Sequence, residues 1–259
     1  MKILKLRKRF FFAVLIIIVL VLTVVINQTL ISITEAKIDD GNGTAERDNS
    51  ADNESEDKSE NFAINNDSCY MLDLDVIIQY PELPTGCEIT ALATVLNFYG
   101  CDTDKTYLAE NYLETAEIGT AKPNEAFIGS PFYEAAYGCY ADVIVNSANG
   151  YIADNGLSLT VNNITGAEFD NLFCYVRSGT PVIFWATMNL EEPYESTVWN
   201  IDGEDVVWLA NEHCMVLIGY DIDTDCCIAC DPQKGISKYS RELLKLRYNQ
   251  MGKQAIVIE

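Results

Sequence analysis

Leu83-Pro84-Thr85-Gly86-Cys87-Glu88-Ile89-Thr90-Ala91-Leu92 is the stretch on which the reading of this chain turns. Thr85 followed three residues later by Glu88 has the form of a capping box, which predicts a helix with Thr85 at the N-cap, Gly86 at N1 and Cys87 at N2. Ile89, Leu92, Ala93 and Leu96 then recur at helical spacing, and Gly100 suits the left-handed residue that closes such a helix. A cysteine in a first helical turn lies among unpaired backbone N–H groups at the positive end of the dipole. That placement lowers a thiol's pKa and supplies donors for a developing oxyanion. Gly86, with no side chain, would let a substrate backbone approach. The plainer alternative is an ordinary helix that begins with cysteine, and this stretch by itself does not choose between them.

A reactive thiol needs a base, and the base needs a group to orient it. The chain contains one histidine, so any imidazole chemistry falls to His213. His213 opens the apolar run Cys214-Met215-Val216-Leu217-Ile218-Gly219-Tyr220, which predicts a strand over 213–220. A second strand over 226–230 follows an Asp-rich turn, and Asp231 stands at its end before Pro232. A hairpin turning at 223–225 would bring His213 and Asp231 to one end of the sheet.

The other elements place this pair in a fold class. Residues 72–79 predict a strand or extended segment, 106–115 and 168–178 predict helices, and 181–186 and 253–258 predict strands. Helices come early and strands late, which points to α+β and away from alternating βαβ units.

Outward from this core lie two segments of different composition. Phe10–Ile26 is apolar apart from Thr23, and at about 1.5 Å per residue it spans roughly 25 Å, enough for a bilayer core. Residues 1–34 carry a net +5, all of it preceding that run, so the rest of the chain is expected outside the cell membrane. A cleaved signal peptide, giving a secreted protein, is the competing reading. Residues 35–67 carry a net −8 and almost no large apolar side chains, the composition of a disordered tether. The domain boundaries are therefore 1–34 for a signal-anchor, 35–67 for the linker and 68–259 for the folded domain. That domain carries −19, which repels nucleic acid and excludes it as a partner. Nine cysteines leave an odd one, compatible with one free thiol and up to four disulfides outside the cell.

Six segments in order carry a resemblance to a known family: Gln79; Leu83-Pro-Thr-Gly-Cys-Glu88; Gly129-Ser-Pro-Phe132 with Tyr137-Gly138; Gly179-Thr-Pro-Val182; Glu212-His-Cys-Met-Val-Leu-Ile-Gly-Tyr-Asp221; and Asp231-Pro232. Over roughly residues 72–258 the chain resembles the C39-like peptidases of the papain-like superfamily. The resemblance implies a papain-like cysteine peptidase fold of α+β class, with the nucleophile helix in the N-terminal part packed on an antiparallel sheet that carries His213 and Asp231. It implies Cys87 as nucleophile, His213 as base, Asp231 as orienter and Gln79 as the oxyanion-hole side chain. Well-known members cleave double-glycine leader peptides on the cytoplasmic side, fused to an export ATPase. This chain has no P-loop and its domain is expected outside, so that substrate is not carried over.

Weaker patterns carry less. Cys227-Ile-Ala-Cys230 has metal or redox spacing, but it lies in a predicted strand without a second ligand pair. Asp221, Asp223 and Asp225 begin like a calcium loop, yet Cys226 and Pro232 occupy the positions that need glycine and glutamate. Trp199 and Trp208 suit either a cleft wall or a core. Neither metal nor cofactor is expected. The reading reached is a membrane-anchored cysteine peptidase acting on a peptide or amide. Its alternatives are a catalytically silent, surface-tethered binding module of the same fold, and a thiol acyltransferase or cell-wall amidase.

Overall fold

Helix α1 (Cys87–Phe98) is the element that everything else surrounds. The sequence predicts one apolar face, but the helix is buried all round from Cys87 to Leu96, as a helix through the middle of a core must be. Its two buried threonines return their hydroxyls to the helix: Thr90 Oγ1 donates to the Gly86 carbonyl at 2.7 Å and Thr94 Oγ1 to the Thr90 carbonyl at 3.0 Å. Neither hydroxyl then needs water. Gly100, with φ +81°, follows the C-cap Tyr99 as expected.

The coordinates are those of a computed structural model and describe residues 68–259. The expected membrane segment 1–34 and tether 35–67 lie outside the described residues. Among the described residues no helix is long and apolar enough to cross a membrane.

Helix α1 packs against a seven-stranded sheet. Its centre is β5 (Val182–Thr187) beside β8 (Glu212–Asp221), paired antiparallel from Val182–Leu217 to Thr187–Glu212. Every residue of β5 is buried, and so are the first eight of β8, which explains why both read as continuous apolar runs and not as alternating ones. β9 (Cys226–Asp231) pairs with the other edge of β8, and β10 (Gly235–Ser240) with β9. On the far side lie β11 (Ala255–Ile258) and β4 (Val161–Asn163). β1 (Cys69–Met71) pairs with the distal end of β8. The mixed helix-and-antiparallel-sheet architecture is the α+β, papain-like arrangement the sequence points to.

Several boundaries differ from expectation. The second helix, α2, is Lys105–Asn111, shorter than predicted and capped by the Asp104 side chain. Helices α3 (Ala141–Asp154), α4 (Phe169–Arg177) and α5 (Arg241–Gln250) complete the set. Of these only α4 is read from the pattern, because α3 mixes small and polar residues among its apolar ones. α5 also follows the strands, so helices do not all come first. β2 (Thr115–Ala116) and β3 (Phe127–Ile128) form a short parallel pair, and β6 (Tyr194–Ile201) and β7 (Glu204–Ala210) form a separate two-stranded ribbon. It turns on Asp202 and Gly203, both at positive φ (52° and 89°), as a two-residue hairpin loop requires. Its Trp199 and Trp208 pack with Ile128 in a small core of their own.

No disulfide joins the nine cysteines, all of which are free. The two in Cys227-Ile-Ala-Cys230 are buried in the sheet, and the Asp-rich turn carries an ordinary surface ion pair, Asp221 to Lys238 at 2.8 Å.

Candidate active site

Cys87 is the first helical residue and Gly86 the N-cap, so the helix starts later than the capping-box pattern predicts. The box itself does not form. Thr85 Oγ1 donates to the Tyr133 carbonyl at 2.9 Å instead, tying the start of the helix to the Ser130–Tyr133 loop. Gly86 is needed for packing more than for approach of a substrate. A Cβ there would lie 2.9 Å from Leu83 Cβ and 3.1 Å from Pro131 Cβ.

Glu88, freed from capping, turns inward. Its Oε1 accepts the Cys139 N–H at 2.7 Å and its Oε2 accepts the Cys87 thiol at 3.2 Å. The Cys214 N–H, from β8, donates to Cys87 Sγ at 3.4 Å. Glu212, also from β8, completes the surroundings: Sγ and one oxygen from each carboxylate lie within 4.8 Å of one another. Cys87 is only 5% exposed. Burial pushes it well above its ordinary pKa, and the charges of Glu88 and Glu212 push further. The sequence expectation of a lowered pKa is therefore overturned in this conformation. Helix-end N–H groups favour a thiolate, but dehydration and two adjacent carboxylates outweigh them. Burial likewise raises Glu88 to about 7, and raises Glu212 with help from the charge on Glu88.

His213 and Asp231 meet as the hairpin predicts, with Nε2 2.8 Å from Asp231 Oδ1 and both side chains buried. Asp231 Oδ1 also accepts the Gln233 N–H at 2.8 Å, and Oδ2 accepts the Tyr239 hydroxyl. Burial acts to raise Asp231, but the hydrogen bond and charge of His213, with the Tyr239 hydroxyl, hold it well below the usual carboxylate range. An ionised Asp231 fixes the proton on Nε2 and leaves Nδ1 as the ring's free position. Nδ1 is buried and has no hydrogen-bond partner. The imidazole and carboxylate are thus brought together, whereas the sulfur is hydrogen-bonded to Glu88 and not to the ring. Yet the sulfur is near: His213 Cα precedes the Cys214 nitrogen by one peptide unit, which puts it within about 6 Å of Sγ.

Gln79 is buried in the segment before α1. Its Nε2 donates to the Pro84 carbonyl at 2.7 Å, which leaves the second amide hydrogen uncommitted. Two further residues support the site without having been marked by the sequence reading. Lys105 of α2 is buried and donates to the carbonyls of Ile78, Gln79 and Tyr80 while pairing with Glu82 at 2.8 Å. Tyr239 lies on β10, whose alternating exposure gives its inward residues no distinguishing pattern. Glu212 stands inside a quoted motif, next to the only histidine, and that adjacency was the available signal.

A model of the family described as "Peptidase_C39 like family" matches residues 71–256. Among curated proteins, the uncharacterized protein YvpB of Bacillus subtilis (strain 168) is 29% identical over 197 residues, spanning 72% of this chain and 75% of that protein. Among solved structures, a Bacillus anthracis protein described as a C39-like peptidase is 32% identical with a TM-score of 0.66, spanning 74% of this chain and 98% of that one.

Proposed function

This chain belongs to the Peptidase_C39 like family and is a cysteine-type peptidase by class, and from that premise we propose that Cys87, His213 and Asp231 hydrolyse amide bonds of a peptide outside the cell membrane. The observation that carries the residue roles is the buried His213–Asp231 pair, whose partnerless Nδ1 belongs to the residue preceding the Cys214 N–H that touches the sulfur.

For the reaction, Cys87 Sγ must give up its bond to Glu88 and meet His213 Nδ1. There the ring accepts the thiol proton and the resulting imidazolium is stabilised by Asp231. The thiolate adds to the peptide carbonyl, and the oxyanion receives the Cys87 N–H and the free Gln79 amide hydrogen. His213 passes its proton to the leaving amine, then takes one from the water that releases the acyl group. The N-terminal segment 1–34 would hold the protein in the bilayer with its N-terminus cytoplasmic, and 35–67 would tether the catalytic domain outside. This rests on the apolar run and the charges before it.

The test is an electrophilic thiol probe on the full chain, freed of metal with a chelator, near neutral pH. Cys87 is expected to react well ahead of the other eight cysteines, and His213→Ala to remove that lead. Uniform slow labelling would instead support the silent binding module. Product analysis with an added amine separates hydrolysis from transfer, and carbonate extraction of membranes tests the anchor.

A further inference from the structure

The Cys87–Glu88–Glu212 cluster contains two carboxyl groups taken out of water, Glu88 0% and Glu212 7% exposed. Buried carboxylates need partners, which are cations or protons. Among the described residues no lysine, arginine or histidine forms an ion pair with either one, and Glu212 Oε1 has no hydrogen-bond partner at all. The backbone has been shaped to let the two converge. Gly138 has φ +141°, and a Cβ on it would lie 2.6 Å from Glu88 Oε1 and 3.0 Å from Glu212 Oε2.

We propose that Cys87 Sγ, Glu88 and Glu212 bind a zinc-class divalent cation, which holds the nucleophile silent until the metal leaves. A tetrahedral ion with sulfur at about 2.3 Å and oxygen at about 2.0–2.2 Å places those donors roughly 3.5 Å apart. Sγ and Glu88 Oε2 are already 3.2 Å apart, and all three donors lie within 4.8 Å. One thiolate with two carboxylates suits zinc better than magnesium or calcium, which take oxygen donors. Three protein ligands leave the fourth position for water. The Cys139 N–H on Glu88 Oε1 fixes the carboxylate's orientation, as outer-shell donors do. Binding is not a redox step: the thiol proton, and any proton on the carboxyl pair, passes to solvent. A sulfur whose lone pair is held by the metal is no longer free to attack a carbonyl. The silencing role rests on the reading of Cys87 as nucleophile, whereas metal binding does not.

The test uses the full chain freed of metal with a chelator, titrated with Co2+ and separately with Zn2+. One equivalent of Co2+ is expected to give a near-ultraviolet sulfur-to-cobalt charge-transfer band. Cys87→Ser should abolish the band, while Cys139→Ala and Cys214→Ala should keep it. Calorimetry should show Zn2+ affinity falling by more than about 100-fold in Glu88→Gln and in Glu212→Gln, beyond the loss that outer-shell changes cause. Circular dichroism identifies any variant that has merely unfolded, and the wild-type titration decides without the variants. Absence of the band, or binding indifferent to both glutamine substitutions, overturns the site and leaves protons as the partners of the pair. Cobalt binding by a chain whose Cys87 never labels when metal-free keeps the site and rejects the enzyme reading.

Discussion

The Gln79 N–H donates to the Pro232 carbonyl at 2.7 Å, so the segment before α1 is fastened to the turn directly after Asp231. Two parts of the site that are far apart in sequence are thereby held in one frame, and Lys105 clamps the same segment from the other side through three carbonyls.

Lys105→Met should loosen that frame. It removes the ammonium donor from the carbonyls of Ile78, Gln79 and Tyr80, of which that of Gln79 keeps the Leu83 N–H, at a cost of about 1–3 kcal/mol. Urea unfolding is expected to show this loss together with slower labelling of Cys87. Full stability would mean that the clamp contributes nothing.

Asp231→Asn should preserve the fold while removing the charge that fixes the His213 tautomer. Turnover of a peptide substrate is expected to fall by about 10²–10⁴-fold. Steady-state kinetics checks this, and a loss below tenfold would remove Asp231 from the mechanism.

Stability of the metal-free protein should depend on pH in two opposite ways. Asp231, held low when folded, contributes stability above its unfolded pKa of about 3.9, and this is lost as pH falls toward its folded value. Glu88, raised to about 7 when folded, binds its proton more tightly than the unfolded chain does. Its contribution is complete below about pH 4.3 and is lost as pH rises to about 7, a decline of roughly 3 kcal/mol. Urea unfolding between pH 4.5 and 8 should therefore weaken with rising pH, and Glu88→Gln should make the slope shallower. A flat wild-type profile contradicts this.

Gly219→Ala tests the fold apart from the site. A Cβ there would lie 2.3 Å from the Tyr70 carbonyl oxygen, which is backbone and cannot yield cheaply. β1 should be displaced from β8, seen as loss of hydrogen-exchange protection at residues 69–71, with Cys87 labelling unchanged. Retained protection would mean that β8 absorbs the contact.

Much of this was legible in the residues. The apolar runs at 182–186 and 214–218 are buried on both faces and can hardly be anything but central strands. Asp231 falls where a hairpin from His213 must return. The ribbon and α5 were missed because the ribbon's apolar residues serve a separate small core, and α5 is polar over most of its surface with only Leu244 and Tyr248 buried. The capping box failed for a different reason: a local rule for Thr85 and Glu88 lost to tertiary partners, the Tyr133 carbonyl and the Cys139 N–H.

By itself the sequence determined the class of fold and singled out a thiol, an imidazole and a carboxylate as candidates, because periodicity and residue type are local properties. Only the tertiary structure decided the state of the sulfur. A thiol's proton affinity is set by whatever surrounds it in space. Here that is a carboxylate braced from 51 residues away, a backbone N–H from 127 residues away and the second carboxylate of Glu212. Folding brings these groups together, and their combined effect outweighs the helix end that the sequence displays.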